Sequence, residues 1–497
     1  MVHIVFWKNN LPKSTHHEEL LWFFLFRRTT LILLILALSV VFIQNAWCAT
    51  PKSGVVAGET WTKAESPYLV GGDILVAELR IQPGTSVHFQ GNYVFEIAGN
   101  ITAIGTSNEP IVFARANEAA GWRGIFFNFT GDGSELAFCT ISGSVDSGIR
   151  IVSSAPVIRG CIITNNTSIG NGGGIYSDRN ILLRDCLIAN NLAQGFGGGL
   201  FLETSDSLIQ NCLFSANTAQ YAGGIYANGR LQIVSTTIEG NVAKAPINGG
   251  TTAGGGLYWT GASLLMDNCS IRGNAAMGPP NTATRNSTGG GIHIAGSMAV
   301  LRNCLINSNR CTSWIAPSYG AGVFASSASQ VGITNCVVAG NTMSNANAGF
   351  VGDGAIYVSN PGGRAAVVNS SIAYNMISGI RNDSTSNVIV LNSVLFFNAG
   401  GASQIAGGVT ASYNDIQNGF PGVGNISLNP VFVNSATLLI AAASPCIDKG
   451  DTNAIYDDAC FPPSRGSDRN DMGAYGGPGS CYWVTGNEPL VLREPKS

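Results

Sequence analysis

Short apolar runs recur along this chain about every 25 residues, and the same polar pattern frames each of them. Residues 171–191 read NGGGIYSDRNILLRDCLIANN, and residues 196–217 repeat that order as FGGGLFLETSDSLIQNCLFSAN. In both copies a glycine cluster precedes an apolar pair, and a second apolar run leads to Cys and then Asn. Self-similarity at a fixed period indicates a solenoid in which each copy forms one coil.

Two series of positions place the copies in one register. The first series consists of nine Asn residues, each of which has a small Cys, Thr or Ser five residues before it. The second consists of apolar residues, most of them directly after Gly, at spacings of 24 to 35 residues. The Asn series is Asn166, Asn191, Asn217, Asn241, Asn274, Asn309, Asn341, Asn375 and Asn398. The apolar series is Ile125, Ile149, Ile175, Leu200, Ile225, Leu257, Ile292, Val323, Ile356, Ile380 and Ile405.

The apolar runs predict strands. They are three to five residues long, rich in β-branched side chains and bounded by Gly, Asn, Asp and Ser. Such runs are too short for helices, and each copy therefore forms two or three short strands. The fixed L-x-x-L-x-L frame of a leucine-rich repeat is not found. Coils of this kind predict an all-β parallel β-helix of about eleven or more coils, whose strands stack in register around a continuous core.

The turn residues agree with this architecture. The residue before the small position is Asn in six copies, and Asn tolerates the left-handed conformation that a sharp turn requires. We expect its amide to bond to a neighbouring coil. Glycine clusters such as 172–174 and 254–256 are expected to supply positive φ angles at the entry to the next strand. A phosphate-binding loop would need a following helix and a Lys, which these clusters lack. The six Asn residues are Asn211, Asn268, Asn303, Asn335, Asn369 and Asn392.

The repeat resembles a known family. The GGGIY or GGGLF motif with N-C-x-I-x-x-N is similar to the right-handed parallel β-helix repeat of the pectate-lyase-like superfamily, and also to repeats of chlamydial polymorphic outer-membrane proteins. Residues 79–127 resemble the opening coils of bacterial surface β-helices. Residues 429–478 resemble a C-terminal module described as a choice-of-anchor type domain. The resemblance implies a right-handed β-helix, but the superfamily includes lyases, glycoside hydrolases, adhesins and scaffolds, so it does not imply one activity.

These patterns divide the chain into five parts. Residues 1–48 are predicted to form a signal peptide or an N-terminal membrane anchor. Residues 50–120 form the opening coils or cap, residues 121–410 the β-helix repeats, residues 411–481 a small C-terminal capping module, and residues 482–497 a tail.

The N-terminal segment predicts export. Arg27 and Arg28 precede the apolar stretch 31–43, which is followed by QNAWCAT. This order fits a secretory signal peptide cleaved near Cys48 or Ala49 better than a full membrane span. The apolar stretch 20–26 keeps an uncleaved anchor open, and only in that case would the protein contact a membrane. The predicted location is extracytoplasmic, either secreted or at the cell surface.

Charge and cysteine content narrow the partners and the chemistry. Only 11% of residues are charged and the net charge is −3, so nucleic acid is not expected as a partner. Twelve Cys residues in an exported protein would suggest disulfides, yet most of them occupy the small position of the repeat. Stacked residues keep their Cβ atoms about 4.8 Å apart, which is too far for the roughly 3.8 Å of a disulfide. Free buried thiols are therefore predicted there, and one disulfide is predicted among Cys446, Cys460 and Cys481.

No catalytic, cofactor-binding or metal-binding constellation is identified in the sequence. A lyase of this fold needs a base with a carboxylate cluster or Ca²⁺, and a hydrolase needs paired Asp residues, whereas the solenoid carboxylates are scattered. His293 replaces Tyr or Phe after a glycine cluster and is predicted to be a solvent-facing strand residue. The Asp-rich stretch 451–458 could bind Ca²⁺, although ordinary loop formation is the favoured interpretation.

An interrupted basic column lies two residues before the small position, at Arg159, Arg184 and Arg302. We interpret it as a solvated face, with contact to an anionic sugar as the alternative.

One edge of the solenoid is the candidate ligand-binding surface. Four consecutive copies carry extra residues at the same place, in 242–253, 275–288, 310–319 and 342–351. Insertions at one point of consecutive coils emerge along one edge, and such loops often bind ligands. The alternative is that these loops merely tolerate variation in length. The possible ligand-contact residues are Lys244, Arg285, Arg310, Trp314 and Tyr319.

The sequence thus predicts an exported β-helix protein with a structural, adhesive or glycan-binding role, whose partners are polysaccharides or cell-surface components. The alternative is a carbohydrate-active enzyme, either a polysaccharide lyase or a glycoside hydrolase, that acts on an acidic polysaccharide.

Overall fold

The computed structural model describes residues 49–483, except 117–120, 131–132, 246–249, 280–285, 314–315, 327–329, 346–352, 360, 384 and 400–402. The predicted signal peptide or anchor at 1–48 lies outside the described residues. Within the described ranges, no helix is long and apolar enough to cross a membrane.

The described chain is a stack of parallel strands. One connected set contains 36 strands, and two smaller sets contain seven and three. Three of the strands, Thr50–Trp61, Tyr68–Ile81 and Phe95–Ile104, belong to the opening coils and bend across more than one side of the solenoid. From there most coils contribute short strands, one on each side, and strands of successive coils pair in register. Each side of the solenoid is therefore a ladder of parallel strands.

The first ladder follows the glycine clusters. Its strands are Ile125–Asn128, Ile149–Val152, Ile175–Ser177, Leu200–Gln210, Ile225–Val234, Leu257–Trp259, Ile292–Ile294, Val323–Ser326, Ile356–Ser359, Ile380–Asn382 and Ile405–Ala406. The second ladder continues each coil, sharing the long strands that begin at Leu200 and Ile225. Its other strands are Glu135–Ala137, Val157–Arg159, Leu182–Arg184, Ser263–Asp267, Met298–Arg302, Gln330–Thr334, Arg364–Val368, Asn387–Leu391 and Val409–Ser412.

The third ladder begins at or just after the small position of each copy. Its strands are Ser86–Phe89, Ile111–Arg115, Cys139–Ser142, Ile162–Thr164, Leu187–Ala189, Leu213–Ser215, Thr237–Glu239, Ser270–Arg272, Leu305–Asn307, Val337–Ala339, Ser371–Ala373, Val394–Phe396 and Asp415–Ile416.

A fourth ladder follows the Asn series. In the four long repeats, the strand of this ladder is where the extra residues begin. Its strands are Thr167–Ser168, Leu192–Ala193, Thr218–Ala219, Val242–Lys244, Ala275–Met277, Arg310–Ser313 and Thr342–Asn345. A short ladder of Thr252–Ala253, Ser287–Thr288 and Ser318–Tyr319 then leads to the next glycine cluster. Three 3-10 turns occur at Lys63–Glu65, Ala454–Tyr456 and Ser480–Trp483.

Inward side chains stack into one apolar core along the solenoid. Along the second ladder, for example, Ile158, Leu183 and Ile209 stand at equivalent positions of successive coils and are fully buried. Strand side chains alternate between the two faces, so a β-branched or aliphatic residue at every second position fills the interior.

The small position forms the predicted thiol ladder. Cys161, Cys186 and Cys212 are buried and unbridged, and each thiol contacts backbone carbonyl oxygens of its own and the preceding coil. The predicted disulfide is present and joins Cys460 to Cys481. Both predictions about cysteine are confirmed.

The nine Asn residues form a buried hydrogen-bonded ladder inside the solenoid. The side-chain oxygen of Asn217 accepts hydrogen bonds from the backbone N–H and the amide of Asn191, at 3.0 Å each. The amide of Asn217 donates to the carbonyl of Ile188 at 2.8 Å and to the side-chain oxygen of Asn241 at 2.9 Å. The same pattern recurs along the series, and at its end Asn398 donates to the side chain of Gln404. Each rung thus satisfies backbone groups that water cannot reach.

The predicted left-handed turns are present at all six Asn positions of the turn series, with φ between 43° and 55°. The amides of Asn211 and Asn303 bond to the preceding coil, at Asp185 and Asp267. Of the glycines in each cluster, only the first has positive φ, as at Gly172. The others are required for a different reason, because a Cβ at Gly173 would lie 2.5 Å from the carbonyl oxygen of Leu192 in the next coil.

The segment 429–483 packs against the outer side of the last coils. Leu438 and Ala474 contact Val337 and Ala339 of the third ladder in one apolar cluster. A second cluster joins Ile440, Cys446 and Met472 to Val394 and Phe396. This segment therefore covers a lateral face of the solenoid.

Removal of one rung from the Asn ladder should be costly. Asn217→Ala deletes four buried hydrogen bonds and leaves buried partners unpaired, so we expect a loss of about 3 kcal/mol or more in the free energy of unfolding. Denaturant titration of residues 50–497 measures it. Asn108→Ala, at an exposed position, is the control and should stay within about 0.5 kcal/mol of the unmodified protein. Equal effects of the two substitutions would contradict a stabilising ladder.

Thiol titration checks the cysteine assignment. We expect no rapid reaction with a thiol reagent in the native protein, because the nine free cysteines among the described residues are buried. After unfolding without a reductant, residues 50–497 should release those nine reactive thiols. A lower number would reveal disulfides within the thiol ladder.

Candidate functional site

An aromatic column runs along the outer face of the first ladder. It consists of seven outward side chains at one position of successive coils, which pair in register. Neighbouring rings contact one another: Tyr176 and Phe201 stack at a centroid distance of 5.2 Å and Phe201 and Tyr226 at 5.1 Å, whereas Tyr226 and Tyr258 meet edge-on at 5.5 Å. Such cross-strand aromatic pairs stabilise a sheet. The members are Tyr176, Phe201, Tyr226, Tyr258, His293, Phe324 and Tyr357.

Polar ring atoms of the column bond to the following coil. The Tyr176 hydroxyl donates to Glu203 at 2.8 Å. The Tyr357 hydroxyl donates to Asp383 at 2.6 Å. Burial and the neighbouring carboxylate raise the pKa of Tyr176 to about 12, so its hydroxyl stays protonated at neutral pH. These hydrogen bonds therefore join successive coils on the outer side of the solenoid.

Three further aromatic residues flank the column on the side of the long repeats' extra residues. Phe196 and Tyr221 stack at 4.8 Å, and Phe196 meets the ring of Tyr226 edge-on at 4.9 Å. Tyr319 lies 4.8 Å from Tyr357 further along. We define the aromatic patch as the partly exposed rings at the N-terminal end of this surface, namely Tyr176, Phe196, Tyr221, Tyr226 and Tyr258.

The prediction that His293 faces solvent is wrong. Its ring is only 8% exposed because it stands within the aromatic column, 4.5 Å from Tyr258 and 4.8 Å from Phe324. Its nitrogens contact the hydroxyls of Thr288 at 2.9 Å and Ser326 at 3.2 Å. Burial lowers its pKa to about 3, so the imidazole is neutral. It is a polar member of the stack.

The three predicted ligand-contact residues that the structure describes do not form one cluster. Lys244 and Arg310 are both exposed in the fourth ladder but lie two coils apart, because Lys244 pairs with Met277 and Arg310 with Ala275. Tyr319 instead flanks the aromatic column, next to Tyr357. Arg285 and Trp314 lie outside the described residues.

The predicted basic column is largely neutralised. Arg159 forms an ion pair with Glu135 at 2.7 Å, and Arg302 forms one with Asp267 at 2.8 Å. Arg184 is exposed. A face whose cations are paired in this way offers little attraction to an anionic sugar.

Two carboxylates meet at the C-terminal end of the aromatic column. Asp353 and Asp383 contact the guanidinium of Arg381 at 3.7 and 3.6 Å. Asp353 also accepts hydrogen bonds from the backbone and hydroxyl of Ser378, while Asp383 accepts one from Tyr357. These bonds hold the turns in place, and they engage the oxygens that a catalytic acid or base would use.

The carboxylates of the C-terminal segment are likewise used as acceptors. Asp458 accepts hydrogen bonds from the N–H groups of Asp471 and Gly477, and Asp451 accepts one from the N–H of Asn453. Within the described part of the chain, no group of three His, Cys, Asp or Glu side chains is arranged to hold a metal ion. Calcium binding at 451–458 remains a prediction from the sequence.

Sequence reasoning missed the aromatic column, although a signal for it was present. The residue directly after the apolar residue that begins each strand of the first ladder is Tyr in four of the seven coils and Phe in two others. An outward aromatic at the same place in successive coils predicts a stacked ladder. The flanking ring of Phe196 had no comparable signal, because its position is occupied by Ala253 and Thr288 in later coils.

Comparison with known families assigns the fold. A family model described as "Right handed beta helix region" matches residues 103–278 and 255–436, which together cover more than half of the chain. The chain belongs to this family of right-handed β-helix proteins. It is therefore an all-β, right-handed parallel β-helix solenoid, as predicted.

Comparisons with individual proteins add little. No curated protein matches the chain. Among solved structures, a crystal structure of pectate lyase Pel9A matches with 14% identity and a TM-score of 0.32, covering 79% of this chain and 88% of that chain. A likeness of this size carries no information about activity.

Acidic pH should stabilise the C-terminal segment. Burial raises the pKa of Asp415 to about 6, of Asp458 to about 7 and of Asp471 to about 6. Each carboxyl therefore stabilises the fold while protonated, and this contribution is lost as the pH rises from the unfolded value of about 4 through 6 to 7. We expect hydrogen exchange in 429–483 to be slower at pH 5 than at pH 8, after correction for intrinsic rates.

The control for this measurement is Asp458→Asn, which cannot ionise. The difference in protection between pH 5 and pH 8 should shrink in this variant. An unchanged difference would show that Asp458 does not carry the effect.

Proposed function

We propose that this protein is an exported glycan-binding solenoid that holds polysaccharide or other cell-surface glycans on its aromatic patch. The observation that supports this proposal best is the aromatic patch, in which Phe196 and Tyr221 lie beside Tyr226. The proposal requires no cofactor. The sequence of residues 1–48 is the basis for proposing export.

Sugar rings present apolar C–H faces and hydroxyl edges, so a patch that binds them needs both apolar surface and hydrogen-bonding groups. Tyrosine supplies both, since its ring is apolar and its hydroxyl is polar. In the patch the hydroxyl of Tyr221 lies 3.2 Å from that of Thr251, and the hydroxyl of Tyr226 lies 3.5 Å from that of Thr260. These pairs place hydroxyl groups at the edge of an apolar strip.

The charges near the patch favour a neutral glycan. Arg150 covers the ring of Tyr176 at 4.5 Å, but Glu203 bonds to the hydroxyl of the same ring. Opposite charges at one ring leave no net attraction for a polyanion.

The rigid scaffold suits this role. Side chains held on strands whose register is determined by neighbouring coils need little ordering when a ligand binds. The five rings of the aromatic patch are partly exposed, so a ligand could reach them.

Loss of single rings should weaken glycan binding. Titration calorimetry or affinity electrophoresis of residues 50–497 against neutral and acidic polysaccharides should identify retained glycans, with neutral ones preferred. For a retained glycan, Tyr221→Ala or Tyr258→Ala should each lower the affinity by about three- to tenfold, which corresponds to the roughly 0.5–1.5 kcal/mol of one aromatic contact.

The matched control is Tyr374→Ala. Tyr374 is 38% exposed and stacks on Phe397 away from the patch, so its loss should leave affinity unchanged. Equal losses in all three variants, or no retention of any glycan, would contradict the proposal. New unsaturated uronate ends, detected by ultraviolet absorbance with and without Ca²⁺, would establish the alternative that the protein is a lyase.

A further inference from the structure

We propose that a depression at the corner between the first and second ladders binds one oxyanion, namely the sulfate, phosphate or carboxylate group of a ligand. The depression has a volume of about 250 Å³ and is open to solvent. This inference is independent of the proposed function, because no ring of the aromatic patch lines the depression. The lining residues are Thr130, Ser153, Ser154, Ala155, Arg179 and Asn180.

Turns of three successive coils build the depression. They begin after Asn128, Val152 and Ser177, the last residues of three strands of the first ladder. The strands before and after these turns pair in register from coil to coil. Phe129 and Ser153, the first residues of two of the turns, both adopt the left-handed conformation, with φ of 54° and 49°. Side chains of three coils are therefore brought to one place.

Hydrogen bonds between coils hold these turns. The Ser154 hydroxyl accepts the N–H of Thr130 and donates to the carbonyl of Val152, at 2.9 Å each. The N–H of Ser153 donates to the carboxylate of Asp178 at 2.8 Å. Because the backbone around the depression is held in this way, little ordering is required when a ligand binds.

The side chain of Thr130 is the observation that points most directly to a ligand. Thr130 is only 6% exposed, and its Oγ1 is buried without a hydrogen-bond partner in the described part of the chain. A buried hydroxyl without a partner is unfavourable in a folded protein. A ligand oxygen that accepts a hydrogen bond from Thr130 would remove this cost.

The other polar groups of the depression are mainly donors. Asn180 Oδ1 accepts the N–H of Asp206 at 3.0 Å, which leaves the two N–H groups of the amide to donate. Among the described residues, neither the hydroxyl of Ser153 nor the guanidinium of Arg179 has a hydrogen-bond or ion-pair partner. A set of donors of this kind matches a group that only accepts, and guanidinium groups bind oxyanions through paired N–H bonds.

The charge at the depression favours an oxyanion over a neutral hydroxyl group. Arg179 is the charged residue that lines it, whereas Asp178 and Asp206 on neighbouring positions do not line it. The backbone of Arg179 is held by Ser177, whose hydroxyl donates to its carbonyl at 2.8 Å and accepts its N–H at 3.2 Å. The cation therefore stands on a supported turn beside the buried hydroxyl of Thr130.

Protection of Arg179 from chemical modification tests the site. The protein is treated with phenylglyoxal, which modifies accessible arginines, while sulfate, phosphate or acetate is added at constant ionic strength. Peptide mapping by mass spectrometry follows each arginine separately. We expect at least one of these ions to slow the modification of Arg179 by about fivefold or more at saturation, because a bound oxyanion occupies the guanidinium. The matched control is Arg184, which is exposed in the same coil and does not line the depression, so its rate should stay unchanged.

Thr130→Val separates ligand binding from stability, because Val has nearly the same shape and no hydroxyl. The ion concentration that halves the rate at Arg179 should rise about three- to tenfold, as expected for the loss of one hydrogen bond to a charged group. The midpoint of denaturant unfolding should not fall, since the lost hydroxyl has no protein partner. Ser153→Ala, at a half-buried position, should weaken protection in the same way.

The three ions also distinguish the sources of the oxyanion. Protection by acetate alone would support a carboxylate ligand, and protection by sulfate or phosphate would support a sulfated or phosphorylated one. Equal effects of every ion on Arg179 and Arg184 would overturn the proposal. An unchanged half-protection concentration in both Thr130→Val and Ser153→Ala would also overturn it.

Discussion

The buried asparagine ladder is the interaction on which the solenoid depends. A parallel β-helix must turn several times per coil, and each inward turn leaves backbone N–H and C=O groups without a strand partner. Each rung Asn accepts two hydrogen bonds from one neighbouring coil, and its amide donates to both neighbouring coils. Because the bonds between Asn side chains join equivalent positions of neighbouring coils, they hold those coils in one register.

The outer face shows the consequence of that register. Aromatic residues that recur once per coil are brought into stacking distance, and the rings then hold the coils together from outside. The same repeat therefore determines both the packing inside the solenoid and the row of rings outside it. Inside, small thiols and Asn amides fill the turns. Outside, a row of rings lies on strands that pair in register with those of the neighbouring coils.

Much of the fold could be predicted because it is local and repeated. The left-handed conformation of Asn211 and the unbridged thiol of Cys186 follow from their positions within the repeat and from a simple distance limit. The disulfide of Cys460 was expected because this residue lies outside the repeat, in a loop-rich segment with two other Cys residues. The exposure of His293 could not be predicted, since strand alternation shows which side chains point outward but not which of them neighbours cover. The lateral packing of Leu438 was also beyond the sequence, because it depends on contacts far apart along the chain.

The candidate site was predicted less well than the fold. Tyr319 lies on the aromatic surface, but Lys244 and Arg310 are two coils apart, because an insertion of a given length does not specify where its side chains point. The basic residues in the sequence also did not predict a positively charged surface. The cations of Arg159 and Arg302 are paired with carboxylates of the preceding coil: Asp267 pairs in register with Arg302, whereas Glu135 pairs in register with Val157, two residues before Arg159.

The most direct test of this account is hydrogen exchange of the side-chain amides of the nine ladder Asn residues, observed by NMR after selective ¹⁵N labelling of Asn. We expect these amides to exchange as slowly as backbone amides in the core strands, because they are released only when coils separate. Exchange of several of them at the rate of exposed Asn side chains would contradict the claim that the ladder holds the coils in register.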